Sequence, residues 1–360
     1  MKKSRTQIPK LTDVAQLARV GNATVSRALN GGKNVSGETM RRVSAAIVEL
    51  NYRPNRVAQS LKGASSGLIG MIVPSLSDLF FSKCAEAVEA VVRANAAVLV
   101  VSAAHDDDEI AAESVRHLLL HNIDGLVMAC SKPPNRELVQ LLRAARLPVV
   151  GIDGPLTAVG RPSVLCENYE GARLATEHLL AHGHARVISV HVKPNLYTMR
   201  ERARGYRDAV LGSGGQPIEE TITDRAGASD VLCRHIRKNG SGIAVFAGNN
   251  LSARYLCEAV HALRLSIPEQ VAILSFDDFD LADTLSPPMS VVQQPVEEIG
   301  RRAARLLFEQ AANASAGRGK QTEETVLLAP RLVLRQSCGC NGAGLPAVWT
   351  DREACVMAEM

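Results

Sequence analysis

The sequence predicts two kinds of fold in one chain: a small all-helical unit at the N-terminus, then a larger α/β unit of two lobes. Three observations carry that expectation. Charge is uneven, because residues 1–63 hold twelve Lys or Arg against three Asp or Glu, a net +9, while the remainder nets −5. Within the basic stretch, apolar residues recur at helical spacing between residues suited to helix ends. From Leu68 onward, short apolar runs alternate with amphipathic stretches, the pattern of parallel sheets joined by crossover helices.

At 360 residues the chain has room for two or three domains of roughly 100–200 residues each. Aromatic residues make up only 3%, so Ala, Val, Leu and Ile must build the core. No apolar run reaches the ~18 residues of a membrane span. The basic start, MKKSRTQIPK, lacks the apolar stretch of a secretory signal. A cytoplasmic protein is the expectation. The eight cysteines are scattered through apolar segments, as buried or free thiols in a reducing compartment are. Cys338-Gly339-Cys340 is the one close pair, and no second Cys or His pair follows it at ligand spacing. No metal and no cofactor is therefore expected.

In the basic stretch, Thr12 can cap a helix beginning at Asp13, with Val14, Leu17 and Ala18 on one face. A second short helix, about Ala23–Asn30, follows a cap at Gly21 or Asn22 and turns Val25, Ala28 and Leu29 inward. Asn30-Gly31-Gly32 stops it, since these residues accept the left-handed conformation at a helix end. Ser36 can cap a third helix, about Gly37–Asn51, with Met40, Val43, Ile47 and Leu50 inward. Two short helices, a tight turn between them and a third helix that closes the core form a helix-turn-helix plan. With its apolar positions inward, the second helix presents Asn22, Ala23 and Arg27 near its N-terminus. Arg can donate a bidentate pair to guanine, Asn can bond adenine and Ala can meet a thymine methyl. Thr24, Ser26 and Asn30 are placed to bond phosphates. For Arg27 taken singly, a solvated surface Arg is the plainer reading; the arrangement carries the argument.

The run from Leu11 to Gly63 resembles the DNA-binding headpiece of the LacI/GalR family of bacterial repressors. The resemblance rests on Asp13-Val14-Ala15, on Thr24-Val25-Ser26-Arg27, and on Asn51-Tyr52-Arg53-Pro54-Asn55 ahead of Ala58 and Leu61. It implies that Asn22, Ala23 and Arg27 read bases and that Tyr52, Asn55 and Ala58 join the DNA contacts. It also implies a hinge helix from Asn55 to about Lys62 that folds only on DNA, with Leu61 as a wedge in the minor groove. An eight-residue helix is unstable alone, and an inserted Leu kinks a base step. Where the family usually has Gly in the turn and Ser as the cap, this chain has Arg19-Val20-Gly21, with Gly at the cap.

In the larger segment the strand-like runs are Leu68–Val73, Ala97–Val101, Gly125–Met128, Val149–Ile152, Val187–Val190, Ile243–Phe246 and Val271–Phe276. Helix-like stretches between them include Asp78–Asn95, Asp107–Asn122, Tyr169–His182 and Asn250–Leu265. So many strands divide naturally into two lobes, with a ligand crevice at the strands' carboxyl ends. Polar and aromatic residues gather after those strands: Phe80 and Phe81, Asp153, Arg202, Asn249 after Phe246, and Asp277. Carboxylates and amides suit hydroxyl pairs, and rings suit the C–H faces of a sugar. Each residue alone also reads as a cap, a turn former or a salt-bridge partner.

Residues 67–338 are similar to the effector domain of the same family, itself similar to periplasmic sugar-binding proteins. The matching stretches include Asn122-Ile123-Asp124-Gly125, Arg204-Gly205-Tyr206, Ser275-Phe276-Asp277-Asp278, Gln293-Gln294-Pro295 and Ser337-Cys338-Gly339. The resemblance implies that Arg202 and Asp277 hold a small molecule, with Phe80, Phe81, Asp153, Phe246 and Asn249 completing the pocket. Departures are Asn249-Asn250 where many members read Asn-Asp, Glu167-Asn168 where many read Asp-Asn, and Pro74-Ser75 where sugar binders often place Asp after the Pro.

The expected layout is a headpiece at 1–54, a hinge at 55–66, a two-lobed effector-binding and dimerisation domain at 67–338 and a flexible tail at 339–360. The resemblance implies a homodimeric transcriptional repressor on a pseudo-palindromic DNA operator, controlled by a sugar or sugar derivative. A transport-type sugar-binding protein is the first rival, and an enzyme using Asp153 and Asp277 is the second. The helix-turn-helix opposes the first; the second lacks a phosphate loop, nucleophile elbow or metal-binding His pair.

Overall fold

The structure, a computed structural model, describes residues 9–29, 34–52, 65–184, 186–239, 242–316 and 324–340. The chain divides into two compact units, one ending at Ser66 and the other beginning at Gly67.

The first unit holds helices α1 (Leu11–Leu17), α2 (Asn22–Leu29) and α3 (Gly37–Glu49). Helix α1 starts two residues earlier than its predicted start at Asp13. Lys10 is the N-cap, and its backbone N–H donates to the Asp13 carboxylate at 2.7 Å. An acid three residues into a helix satisfies the cap this way, so Asp13 marks the first turn rather than the start. Val14, Ala15, Ala18, Val25, Val43 and Ala46 form the core with Tyr52. Ala15 takes the inward position expected of Leu17, which is 41% exposed. Ser36 caps α3 by accepting from Thr39 N at 3.3 Å, as its position predicts.

The second unit contains two six-stranded sheets. The first lobe runs β1 (Leu68–Val73), α4 (Leu79–Ala94), β2 (Val98–Ala103), α5 (Asp108–Leu120), β3 (Gly125–Ala129), α6 (Arg136–Ala144), β4 (Val149–Ile152) and β5 (Ser163–Cys166). Helix α7 (Asn168–Ala181) leads to the second lobe: β6 (Val187–His191), α8 (Tyr197–Gly212), β7 (Ile218–Thr221), α9 (Arg225–Asn239), β8 (Ile243–Ala247), α10 (Asn250–Leu263), β9 (Val271–Phe276) and β10 (Ser290–Gln293). The chain then returns through α11 (Val296–Ser315) to place β11 (Thr325–Leu328) in the first sheet, and crosses again for β12 (Arg331–Val333) in the second.

Strand orders are β11-β5-β4-β3-β1-β2 and β12-β10-β9-β8-β6-β7, so both lobes are wound alike. Every pairing is parallel except β12 against β10. Strands β1, β3, β4, β8 and β9 are buried almost throughout, as parallel strands covered by helices on both faces must be. The inner helices of the second lobe pack closely. A Cβ on Gly205 of α8 would collide with the Tyr169 carbonyl of α7, so only Gly lets the two backbones meet there. Among the described residues, no helix is long and apolar enough to cross a membrane.

Candidate DNA-reading surface and ligand cleft

On α2, Val25 is fully buried while Asn22, Ala23 and Arg27 are exposed, and Thr24 and Ser26 are half-buried. The residues proposed to meet base edges thus share one solvent face. Arg27 leans back along its helix, with Nε donating to the Ala23 carbonyl at 3.3 Å. The Gly21 carbonyl accepts from Thr24 N at 2.8 Å and Val25 N at 3.1 Å, which makes Gly21 the cap that precedes α2. No acid occupies the first turn of α2, so nothing of like charge there repels a phosphate.

The turn before α2 holds Arg19 at φ 53°, a left-handed conformation that costs a non-glycine residue about 1–2 kcal/mol. Arg42 of α3 supports it by donating to the Arg19 carbonyl at 2.9 Å and to the Ala18 carbonyl. Tyr52, expected among the DNA contacts, is instead part of the headpiece core at 8% exposure. Its N–H donates to the Ile47 carbonyl at 3.0 Å, which folds the chain back and carries the ring under α3. Asn30, Asn55, Ala58 and Leu61, together with the predicted hinge helix and the tail beyond Cys340, lie outside the described residues.

In the second unit the strand ends of both lobes converge on a cavity of about 250 Å³. Ser75 and Asp78 follow β1, Asp106 follows β2, Ser131 follows β3 and Asp153 follows β4. Lys193, Asn249, Asp277 and Gln294 come from the corresponding ends of β6, β8, β9 and β10. This is the crevice where ligands of doubly wound sheets bind. An adjoining opening of about 410 Å³ shares Phe80, Asn250, Asp277 and Gln294 but lacks the buried Arg202. The smaller cavity is therefore the candidate site.

Arg202 lies in the second turn of α8 and is 2% exposed. Its Nε donates to Asn168 Oδ1 at 2.8 Å, and its Nη1 to the Gly248 carbonyl at 2.8 Å and to Asp277 Oδ2 at 3.1 Å. The guanidinium lies 3.7 Å from the centroid of the Phe276 ring. Gln294 Nε2 donates to the other Asp277 oxygen at 2.5 Å. A buried charge needs partners on all sides, and these supply them.

Asp153 is held differently. It accepts from Ser131 Oγ at 3.0 Å, and burial lifts its carboxyl to about 6, with Ser131 and Arg202 opposing the rise and Asp277 and Asp78 adding to it. Asp78 is likewise raised, chiefly by burial, although it accepts from Phe80 N at 3.0 Å and caps α4. Lys193 joins Asp106 across the lobes at 2.8 Å, while the buried Oδ1 of Asp106 has no hydrogen-bond partner among the described residues. Phe80 and Phe81 line the cavity edge to face, 5.0 Å between centroids. The side-chain oxygen of Asn249 accepts from Ser252 N at 2.9 Å and caps α10.

Six of the seven predicted cleft residues line this cavity. Phe246 does not. It is fully buried in the core that also holds Phe276 and Tyr206, one residue short of the carboxyl end of β8. Phe276 takes the aromatic role by lying under Arg202. Sequence reasoning missed Asp78, Asp106, Ser131, Asn168, Lys193 and Gln294; all of them sit within five residues of a strand's carboxyl end, the one signal that points to them. The metal-capable group among the described residues, His178, His182 and Cys340, lines neither opening.

Comparison with known proteins matches both units. Residues 10–55 match the bacterial regulatory proteins of the lacI family, and residues 176–338 match a periplasmic binding protein-like domain. The ribose operon repressor of Halalkalibacterium halodurans is 31% identical over 301 residues, spanning 83% of this chain and 89% of that protein. The chain belongs to the LacI family of bacterial regulatory proteins. The transcriptional repressor PurR of Aliivibrio fischeri is 29% identical over 91% of this LacI-family chain and 97% of its own length. Among solved structures, a lac repressor dimer bound to operator and the anti-inducer ONPF superposes with a TM-score of 0.79 at 25% identity, covering 92% of this chain and 99% of that one. A CelR–cellobiose complex superposes with a TM-score of 0.65 at 26% identity, covering 91% and 99%. This LacI-family chain is accordingly a DNA-binding transcriptional regulator with an effector-binding domain.

Proposed function

We propose that the chain works as a homodimeric repressor whose grip on a pseudo-palindromic operator is set by a neutral sugar or sugar derivative in the interlobe cleft. The observation that carries this reading is the pairing of two surfaces in one chain. Helix α2 offers Asn22, Ala23 and Arg27 to solvent, and the second unit encloses Arg202 and Asp277 among carboxylates. Four acids line the cleft, Asp78, Asp106, Asp153 and Asp277, against two cations, Arg202 and Lys193, both already paired with acids. That balance favours a ligand offering hydroxyl donors over a phosphorylated or carboxylated one. Phe80 and Phe81 supply faces for sugar C–H groups. The ribose and cellobiose named for two relatives are of this class.

In this reading residues 1–54 bind DNA, 55–66 form the hinge with Leu61 at the operator centre, 67–338 bind effector and dimerise, and 339–360 are a tail. The protein works in the cytoplasm on the nucleoid and catalyses nothing. Two-fold protein symmetry asks for two-fold site symmetry. Effector binding changes the angle between lobes and so the separation of the two hinges, a coupling that typically amounts to 1–3 kcal/mol.

The test is selection of duplexes from a random DNA pool, followed by a sugar screen on the recovered operator. A palindrome whose affinity changes at least about fivefold with one sugar supports the reading. Unselective binding, or a motif indifferent to every sugar tried, overturns it. Arg27→Ala is expected to lose about 1–3 kcal/mol of discrimination at one base pair per half-site while keeping salt-dependent nonspecific binding. Equal loss on all sequences would place Arg27 on phosphate.

A further inference from the structure

The carboxyl end of α7 and the segment after β12 bring four soft donors together. Cys338 Sγ lies 3.3 Å from His178 Nε2, Cys340 Sγ lies 3.1 Å from His182 Nε2 and 3.5 Å from His178 Nε2, and the two sulfurs are 3.4 Å apart. His178 and His182 are one helical turn apart on the same face, which aims both rings at one point. Gly339 at φ 99° lets Cys338 and Cys340 both turn toward it. Cys338 is buried, His178 and Cys340 are half-buried and His182 is exposed, so the group is supported from beneath and open on one side. His184 hydrogen-bonds the Cys338 backbone, and Ser290 Oγ lies 3.1 Å from Cys338 Sγ, as outer supports of a ligand set do.

We infer that His178, His182, Cys338 and Cys340 form a tetrahedral site for a zinc-class cation. Zinc–nitrogen and zinc–sulfur bonds of about 2.0–2.3 Å place neighbouring donors of a tetrahedron roughly 3.3–3.8 Å apart, close to the four spacings above; the donors of His178, His182 and Cys340 already lie within 4.8 Å of one another, and a turn of the Cys338 side chain brings in the fourth. Two thiolates with two imidazoles select zinc or a similar soft ion over magnesium or calcium. No carboxylate belongs to the cluster. Binding replaces two thiol protons with the ion and releases them to solvent. The sequence pattern alone predicts no metal, because it seeks a partner pair downstream of Cys338-Gly339-Cys340. The pair lies 160 residues upstream. The site would clip the end of α7, whose first residue Asn168 holds Arg202, to the segment that follows β12.

Titration of the reduced full-length chain with Co²⁺ tests this. One Co²⁺ per chain is expected, with a thiolate-to-cobalt charge-transfer band and the intense visible bands of a tetrahedral ion, all displaced by an equivalent of Zn²⁺. Zn²⁺ is expected to raise the Tm by a few degrees through mass action. His182→Ala and Cys340→Ser replace side chains that are not buried, and each is expected to weaken Co²⁺ binding by at least about 100-fold, beyond the 10–100-fold lost with an outer support. Cys233→Ser and Cys257→Ser should leave the bands intact. Co²⁺ bound without the charge-transfer band, bands that survive in both ligand variants, or a Cys338–Cys340 disulfide that persists under reductant would each overturn the assignment.

Discussion

The two lobes of the effector domain share a strand order and differ in how they hold their acids. Each places an aspartate in the left-handed region just past its fourth strand in chain order, Asp153 at φ 66° after β4 and Asp277 at φ 72° after β9. Asp tolerates that conformation better than most residues, and it turns the carboxylate into the cleft. There the likeness ends. Asp277 is clamped by Arg202 and Gln294. Asp153 has Ser131 and is left with its carboxyl raised to about 6. One fold repeat therefore supplies a fixed anchor in the second lobe and a titratable acceptor in the first.

The strongest way to break this contrast is Arg202→Ala. Removing one member of a buried pair leaves Asp277 uncompensated and typically costs about 3–5 kcal/mol. Both Tm and effector binding are expected to fall together, while operator binding is kept at temperatures where the domain stays folded. An undiminished effector response would remove Arg202 from the site.

Asp153→Asn is the next largest test. A carboxyl raised in the folded state favours folding below its unfolded value near 4 and loses that contribution as pH rises through about 6. At pH 8 the charged Asp153 thus costs stability, by up to about 3 kcal/mol for a shift of roughly two pH units. The neutral Asn should raise Tm at pH 8 and make little difference at pH 4. Equal effects at both values would mean that Asp153 does not titrate as its surroundings dictate.

The smallest expected effect sharpens the comparison by loosening the tie between the lobes. Lys193 is 61% exposed, so its ion pair with Asp106 is worth only about 0.2–1 kcal/mol. Lys193→Ala should change effector affinity by less than about fivefold and abolish part of its salt dependence. A larger loss would mean that Lys193 touches the ligand itself.

Legibility in the sequence followed burial. Strands β1, β4 and β9 match their apolar runs end to end, because strands covered on both faces show as unbroken runs. Strand β7, Ile-Glu-Glu-Thr, is an edge with alternating exposure, and β12 holds three residues, so neither stands out. Helices α8 and α9 are rich in Arg, which masks the apolar periodicity of their buried faces. Phe246 and Phe276 look alike at the ends of neighbouring strands and both join the core, yet only Phe276 lies beneath the Arg202 guanidinium. Composition and run length do not say which of two such rings the cleft's Arg will meet. Likewise Asn168 joins Arg202 across 34 residues, a contact that only the packing of α7 on α8 creates.

The turn between α1 and α2 carries a lesson for anyone wishing to transplant the reading head. Arg42 stands on α3 and not on the reading helix, yet its Nη2 holds the carbonyls of Ala18 and Arg19 and so steadies the turn that delivers α2. Copying Asn22, Ala23 and Arg27 into another scaffold would move the letters and leave the wrist behind. Arg19 and Arg42 have to travel with them.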